Sequence, residues 1–253
     1  MEPSSLIPSI PLWLEAALCP GVLALIAFMT GRVSRSGAIG GWVMASIIWW
    51  SLGWPGILPP LVFFIAANLA TAFGFEKKAA RGIAQEDGGR RGAKHALANV
   101  SAGAALAIAA NLVGEGGGPL TWAFAAAFAT ACADTVSSEI GQVLGQTPIH
   151  PLTFRRLEPG AEGAVSAEGT IAGILGGLIV ALCGLIGGLY GEHPMPAVIV
   201  VTVAAAIANW LESALGSTWG SKFSNEGMNF FNTIAGGGIA WLLGTIWMKS
   251  IGA

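Results

Sequence analysis

The side chains best able to do chemistry in this chain gather in a few places: Asp134, Thr135, Ser137, Ser138 and Glu139, then Asn209, Glu212 and Ser213, then Asn225, Asn229 and Asn232. All lie in or beside long apolar stretches, where a polar group is costly unless it is paired or used. Residues three or four apart share one face of a helix. Asp134 therefore aligns with Ser137 and Ser138, Asn209 with Glu212 and Ser213, His95 with Asn99, and Asn225 with Asn229 and Asn232. Asp134 and Glu139 are five apart and diverge by about 140° on a regular helix, so one ion reaches both only where the helix breaks or the site wraps its end. His95, His150 and His193 offer no serine–base pairing, which removes a covalent triad. Carboxylates, amides and basic groups together suit a divalent cation and an anionic, phosphorylated ligand.

A second element runs from Phe154 through Arg155, Arg156, Gly160, Gly163 and Ser166. Two arginines before a glycine-containing turn, with Ser166 placed to cap the next helix, form a physical design for phosphate oxygens. Lys94 and Lys222 are further candidates for phosphate contact. The plainer readings are that the arginines set membrane topology and that each polar residue is a helix–helix hydrogen bond. Convergence on one layer favours a site.

The elements that must position these groups are membrane spans. Hydrophobic residues make up 54% of the 253 residues and charged residues 10%, with a mean hydropathy of +0.68, whereas soluble domains carry about a quarter charged residues. A soluble nucleic-acid binder and a secreted disulfide scaffold are excluded. Cys19, Cys132 and Cys183 stand far apart in apolar runs and form neither a disulfide framework nor a zinc site. The N-terminus lacks a basic region and cleavage site, and the first apolar stretch reads as a retained span.

Apolar runs long enough to cross a bilayer predict an all-α polytopic bundle of about eight spans, near 12–30, 37–53, 57–75, 95–113, 119–140, 166–190, 195–217 and 228–250. The second is short, and a merged or re-entrant segment is the alternative there. Every lysine and arginine except Lys249 falls in the odd-numbered connections, which places those connections in the cytoplasm and both termini outside. The expected organisation is one transmembrane domain over 1–253, with a basic cytoplasmic loop at 76–94 and a second, carrying the phosphate site, at 141–165. Glycines such as Gly173, Gly176 and Gly177 read as close helix packing, and Trp49, Trp50 and Trp54 as interfacial anchors. A faint repeat lays Ala133–Ser138 over Ala208–Ser213, and Thr170–Gly173 recurs as Thr233–Gly236.

The run Ala133-Asp134-Thr135-Val136-Ser137-Ser138-Glu139-Ile140-Gly141 is similar to the A-D-T-x-x-S-E-x-G element of an integral membrane family that includes the phytyl-phosphate kinases of chloroplasts and cyanobacteria. The resemblance continues through Gly160–Ser166, Gly169-Thr170 and Glu212–Gly216 to Asn225, Asn229 and Asn232, with Lys94, Ala98 and Asn99 as an earlier element. Ala161 stands where a threonine is usual and Glu212 where an aspartate is usual.

The resemblance implies phosphoryl transfer from a nucleoside triphosphate, with CTP the expected donor and Mg²⁺ the cofactor, to a prenyl monophosphate in the cytoplasmic leaflet. Asp134, Glu139 and Glu212 would then be the catalytic and metal-binding carboxylates. Lys94, Arg155, Arg156 and Lys222 would contact phosphates, helped by Gly160, Gly163, Ser166 and Ser213, and Asn99, Asn225, Asn229 and Asn232 would orient them. The partners are a lipid phosphate and a nucleotide, with no nucleic acid, and the oligomeric state is left open. The expected location is the inner or cell membrane if the source is bacterial. The same residues suit a CTP-dependent cytidylyltransferase, and glycine-rich spans with Pro20 in the first keep a transporter or scramblase as the alternative of another class.

Overall fold

The computed structural model describes residues 10–158, 160–161, 163–219, 222 and 224–252. Among them the chain is helical, and pairing of extended backbone is confined to isolated bridges. The helices are α1 (Leu12–Met29), α2 (Arg35–Leu52), α3 (Leu58–Ala72, entered through a 3₁₀ turn at Trp54–Ile57), α4 (Phe75–Ala80), α5 (Ala93–Leu112), α6 (Pro119–Leu144), α7 (Ala167–Ile186), α8 (Pro194–Trp219) and α9 (Asn225–Ile251). Apart from the short α4, these are the eight anticipated spans. The short second stretch is an independent 18-residue helix rather than a merged segment.

Six of the eight, namely α1, α3 with its turn, α5, α7, α8 and α9, are long and apolar enough to cross a bilayer on their own hydropathy. Of the other two, α6 gains its place by packing. From Thr121 to Ala133 every residue of α6 is buried, because α3, α5, α7, α8 and α9 all pack around it. A helix shielded on all sides meets no lipid, so alanine and threonine can replace leucine on its surface. Side chains drawn from α6, such as Trp122, Phe124 and Phe128, form the centre of the core.

Small residues set the approach of the surrounding helices. A β-carbon at Gly173 would press on Ser137 and on the Ala133 carbonyl, and one at Gly236 would collide with Thr130. Both glycines therefore let their helices, α7 and α9, lie directly on α6. They are also the paired positions of the faint sequence repeat. The other repeated segment lies on α6 and α8, each 26 residues long and begun by proline, so Asp134 and Asn209 stand equally far from the C-terminal ends of their helices.

Serine caps start the helices at the basic end of the bundle. The Ser34, Ser166 and Ser224 hydroxyls accept from the backbone N–H of Gly37, Gly169 and Gly227, each at 3.1 Å, satisfying donors that the first turn leaves free. The expected loop at 76–94 is partly ordered as α4, and the loop expected from 141 begins only after Leu144.

Candidate active site

A half-open cavity of about 1060 Å³ lies at the basic end of the bundle. Its walls are the C-terminal halves of α6 and α8, the first turns of α5, α7 and α9, and the segments 83–92, 160–161 and 163–166. Three helix N-termini thus converge on one space, and each presents unpaired N–H groups and the positive end of its dipole, an arrangement suited to anions.

Most of the expected residues line it. Asp134, Glu139, Glu212 and Ser213 come from the two long helices, Lys94 and Asn99 from α5, Asn225 and Asn229 from α9, and Gly160, Gly163 and Ser166 from the intervening segment. Gly163 has a φ of +69°, and a β-carbon there would collide with the Ser213 carbonyl and the Ser217 N–H of α8. A glycine is therefore required where the loop crosses that helix. On α6 the Ser137 hydroxyl donates to the Asp134 carbonyl at 3.0 Å and accepts from the Asn209 amide at 3.2 Å, tying α8 to the wall beside Asp134.

The carboxylates stand apart. Among the described residues no three acidic, histidine or cysteine side chains are close enough to hold a metal, so Asp134, Glu139 and Glu212 do not form a common cage. Glu139 is buried and engaged at both oxygens: Thr71 donates to Oε1 at 3.0 Å, and the Lys78 ammonium donates to Oε2 in an ion pair. Lys78 is itself fully buried and also donates to the carbonyls of Thr71 at 2.9 Å and Ala70 at 3.4 Å. It thereby neutralises the C-terminal end of α3. Because α6 stays regular through Leu144, Glu139 turns toward α3 and α4 while Asp134 faces the cavity. Among the described residues neither a hydrogen bond nor an ion pair reaches the Asp134 carboxylate.

Four expected residues lie off the lining. Arg155 and Arg156 are exposed, because their segment folds outward into a small bridged turn in which Ile149 exchanges backbone hydrogen bonds with Val165 and Phe154 takes a φ of +56°. Lys222 is exposed as well. Asn232, one turn beyond Asn229, is 1% exposed behind the wall, with neither amide atom partnered.

The arginines that do line the cavity are Arg90 and Arg91, which the sequence presents only as topology-setting charges. Arg91 is held by its backbone, which accepts from Ser34 N–H and donates to the Arg32 carbonyl at 3.0 and 3.1 Å. Its guanidinium lies 5.7 Å from the Phe63 ring centroid. A β-carbon at Gly37 would collide with the Arg91 carbonyl, so α2 needs glycine there to let the segment approach. Burial draws the Arg91 guanidinium below its ordinary value, while the negative charges of Glu139 and Asp134 oppose the change; a guanidinium stays protonated throughout. Gly88, Gly89 and Gly92 flanking the pair, with positive φ at the first two, were the available sign of a tight turn aimed at a site.

These features define a polytopic membrane protein with an anion-accepting cavity at one end of its bundle. The chain belongs to the family described as "Integral membrane protein DUF92", which it matches over residues 18–247; this is the family, inclusive of phytyl-phosphate kinases, to which its Asp134 element pointed. It is 35% identical over 239 residues to a membrane protein of Synechocystis sp., covering 90% of each chain. It is 31% identical to the chloroplastic protein VTE6 of Arabidopsis thaliana, over 92% of this chain and 72% of that one. A membrane protein of Methanocaldococcus jannaschii is 32% identical over 88% of this chain and 90% of its own. No solved structure matches the chain.

Proposed function

We propose that this protein transfers the γ-phosphoryl group of a nucleoside triphosphate, with CTP the expected donor, to a prenyl monophosphate. The observation that carries the reading is the gathering, in one cavity at the end of membrane-buried helices, of the Asp134 carboxylate with Arg90, Arg91, Lys94 and three helix N-termini. Kinship with VTE6 and with the family as a whole supports a role in prenyl-lipid metabolism.

An oxygen of the lipid phosphate attacks the γ-phosphorus, the bond to the β,γ-bridging oxygen breaks, and nucleoside diphosphate leaves. Such transfer depends on positioning and charge neutralisation more than on covalent help from the protein. Mg²⁺ commonly binds through one or two carboxylates plus substrate phosphates rather than in an all-protein cage, so the absence of a three-acid cluster among the described residues is compatible with it. Asp134 would hold the ion, with Asn225 and Asn229 among the neighbouring oxygen donors, and the ion would screen the phosphate charges. Arg91 and Lys94 would clamp phosphate oxygens, and Glu139 would act indirectly by fixing Lys78 and the floor beneath Thr71.

The test is to incubate purified protein and Mg²⁺ with CTP or ATP and prenyl monophosphates of several chain lengths. Conversion to the diphosphate that depends on both substrates is expected. Absence of lipid conversion with every donor contradicts the reading.

A further inference from the structure

The lining of the polar cavity turns apolar in a strip along the flank of α7 and α8, at Ile174, Ala206 and Trp210. On α8, Ala206, Trp210 and Ser213 share one face, and on α7, Thr170 and Ile174 do the same; all five border the cavity. Beside that strip the two helices touch: β-carbons at Gly173 and Gly177 would lie 3.4 Å from the Asn209 amide nitrogen and from Ala205 Cβ, respectively. The strip is thus the flank of the α7–α8 seam, and it reaches the outer surface, since Ile174 is 41% and Trp210 38% exposed. Ala206 stands roughly 20 Å from the Trp219 end of α8 at 1.5 Å per residue, about one turn deeper than the level of Asn209 and Asp134.

We propose that this flank is the side entrance of the site, and that it takes the apolar chain of a phosphorylated isoprenoid lipid from the bilayer while the phosphate reaches Arg91 and Lys94. The proposal rests on the prenyl-phosphate reading above and adds where the chain lies. Continuity decides the occupant: the strip opens on lipid at one end and on an anion-accepting cavity at the other, matching a molecule with an apolar tail and an anionic head. A second groove of about 490 Å³ between α1 and α2, bordered by Leu25, Phe28 and Trp42, shares no lining residue with the cavity and so has no such continuity.

The experiment is photolabelling of the full-length protein in membranes with a long-chain prenyl monophosphate carrying a diazirine at its ω-end, followed by peptide mass spectrometry. Label is expected on the stretches around Ile174 and Trp210, displaced by unlabelled prenyl monophosphate. Ala206→Phe should lower it about tenfold, whereas Ile199→Phe, on another exposed part of α8, should not. Label confined to the α1–α2 groove, spread evenly over the surface, or not displaced by competitor overturns the proposal, and the wild-type pattern decides this even if Ala206→Phe fails to fold. Labelling needs no nucleotide. Protein that labels here yet transfers no phosphate keeps the entrance and loses the kinase reading, and protein that transfers phosphate yet labels elsewhere does the reverse.

Discussion

Lys78 and Glu139, 61 residues apart, meet as a fully buried ion pair in which the ammonium also closes the C-terminal end of α3. Both charges are removed from water, so each depends on the other. Removing one partner of a buried pair leaves a stranded charge at a cost of about 3–5 kcal/mol. Lys78→Met should therefore lower thermal stability in detergent strongly, and the double variant Lys78→Met/Glu139→Gln should recover most of the loss. A single variant as stable as the parent would show that the Glu139 charge does not depend on Lys78.

Asp134→Asn should act in the opposite sense. The carboxylate accepts no hydrogen bond and makes no direct ion pair among the described residues, its charge acting on the Arg91 guanidinium only at longer range, so a near-isosteric amide keeps the packing and changes stability little. Turnover should fall by about 10²-fold or more, with a weakened response to Mg²⁺. Thermal melts and a Mg²⁺ titration of activity measure the two effects; full activity in a normally folded variant would return Asp134 to a structural role.

Arg91→Lys keeps the charge and loses the planar fork that grips phosphate through two hydrogen bonds. Losing charge-assisted hydrogen bonds worth about 1.5–3 kcal/mol should lower kcat/KM by about 10- to 100-fold. Arg155→Lys and Arg156→Lys, being off the cavity lining, should change it little. Steady-state kinetics with lipid phosphate and nucleotide varied in turn provide the check, and equal losses at all three positions would remove the special role of Arg91.

Topology follows from the charges. With Cys19, Cys132 and Cys183 replaced by alanine, a cysteine at Ala79 should react with an impermeant thiol reagent only from the cytoplasmic side, and one at Glu192 only from outside. Reversed labelling would put the cavity on the wrong side for a cytoplasmic nucleotide.

The spans were legible because hydropathy reports length and apolarity directly, and the polar layer because buried polar groups are rare. The weaker hydropathy of α6 does not say which helices surround it, so its central place was hidden in the sequence. Helical spacing did separate Asp134 from Glu139, and the unbroken α6 keeps them apart. The partner of Glu139 was hidden because Lys78 sits in a stretch of basic residues that reads as a cytoplasmic loop, and only the fold of α4 beneath α3 turns one of those charges inward. Arg155 and Arg156 were favoured over Arg90 and Arg91 for the same reason: both pairs flank glycine turns, and which turn folds toward the cavity is decided by contacts far away in sequence, such as Gly37 against Arg91.

Which phosphorus is attacked separates phosphoryl transfer from nucleotidyl transfer. Purified protein given Mg²⁺, a prenyl monophosphate and CTP labelled at the γ-phosphate should place the label in a lipid diphosphate, with CDP released in equal amount, and Asp134→Asn should place none there. Label recovered as pyrophosphate, with the cytidine nucleotide attached to the lipid, would contradict phosphoryl transfer and make the protein a cytidylyltransferase.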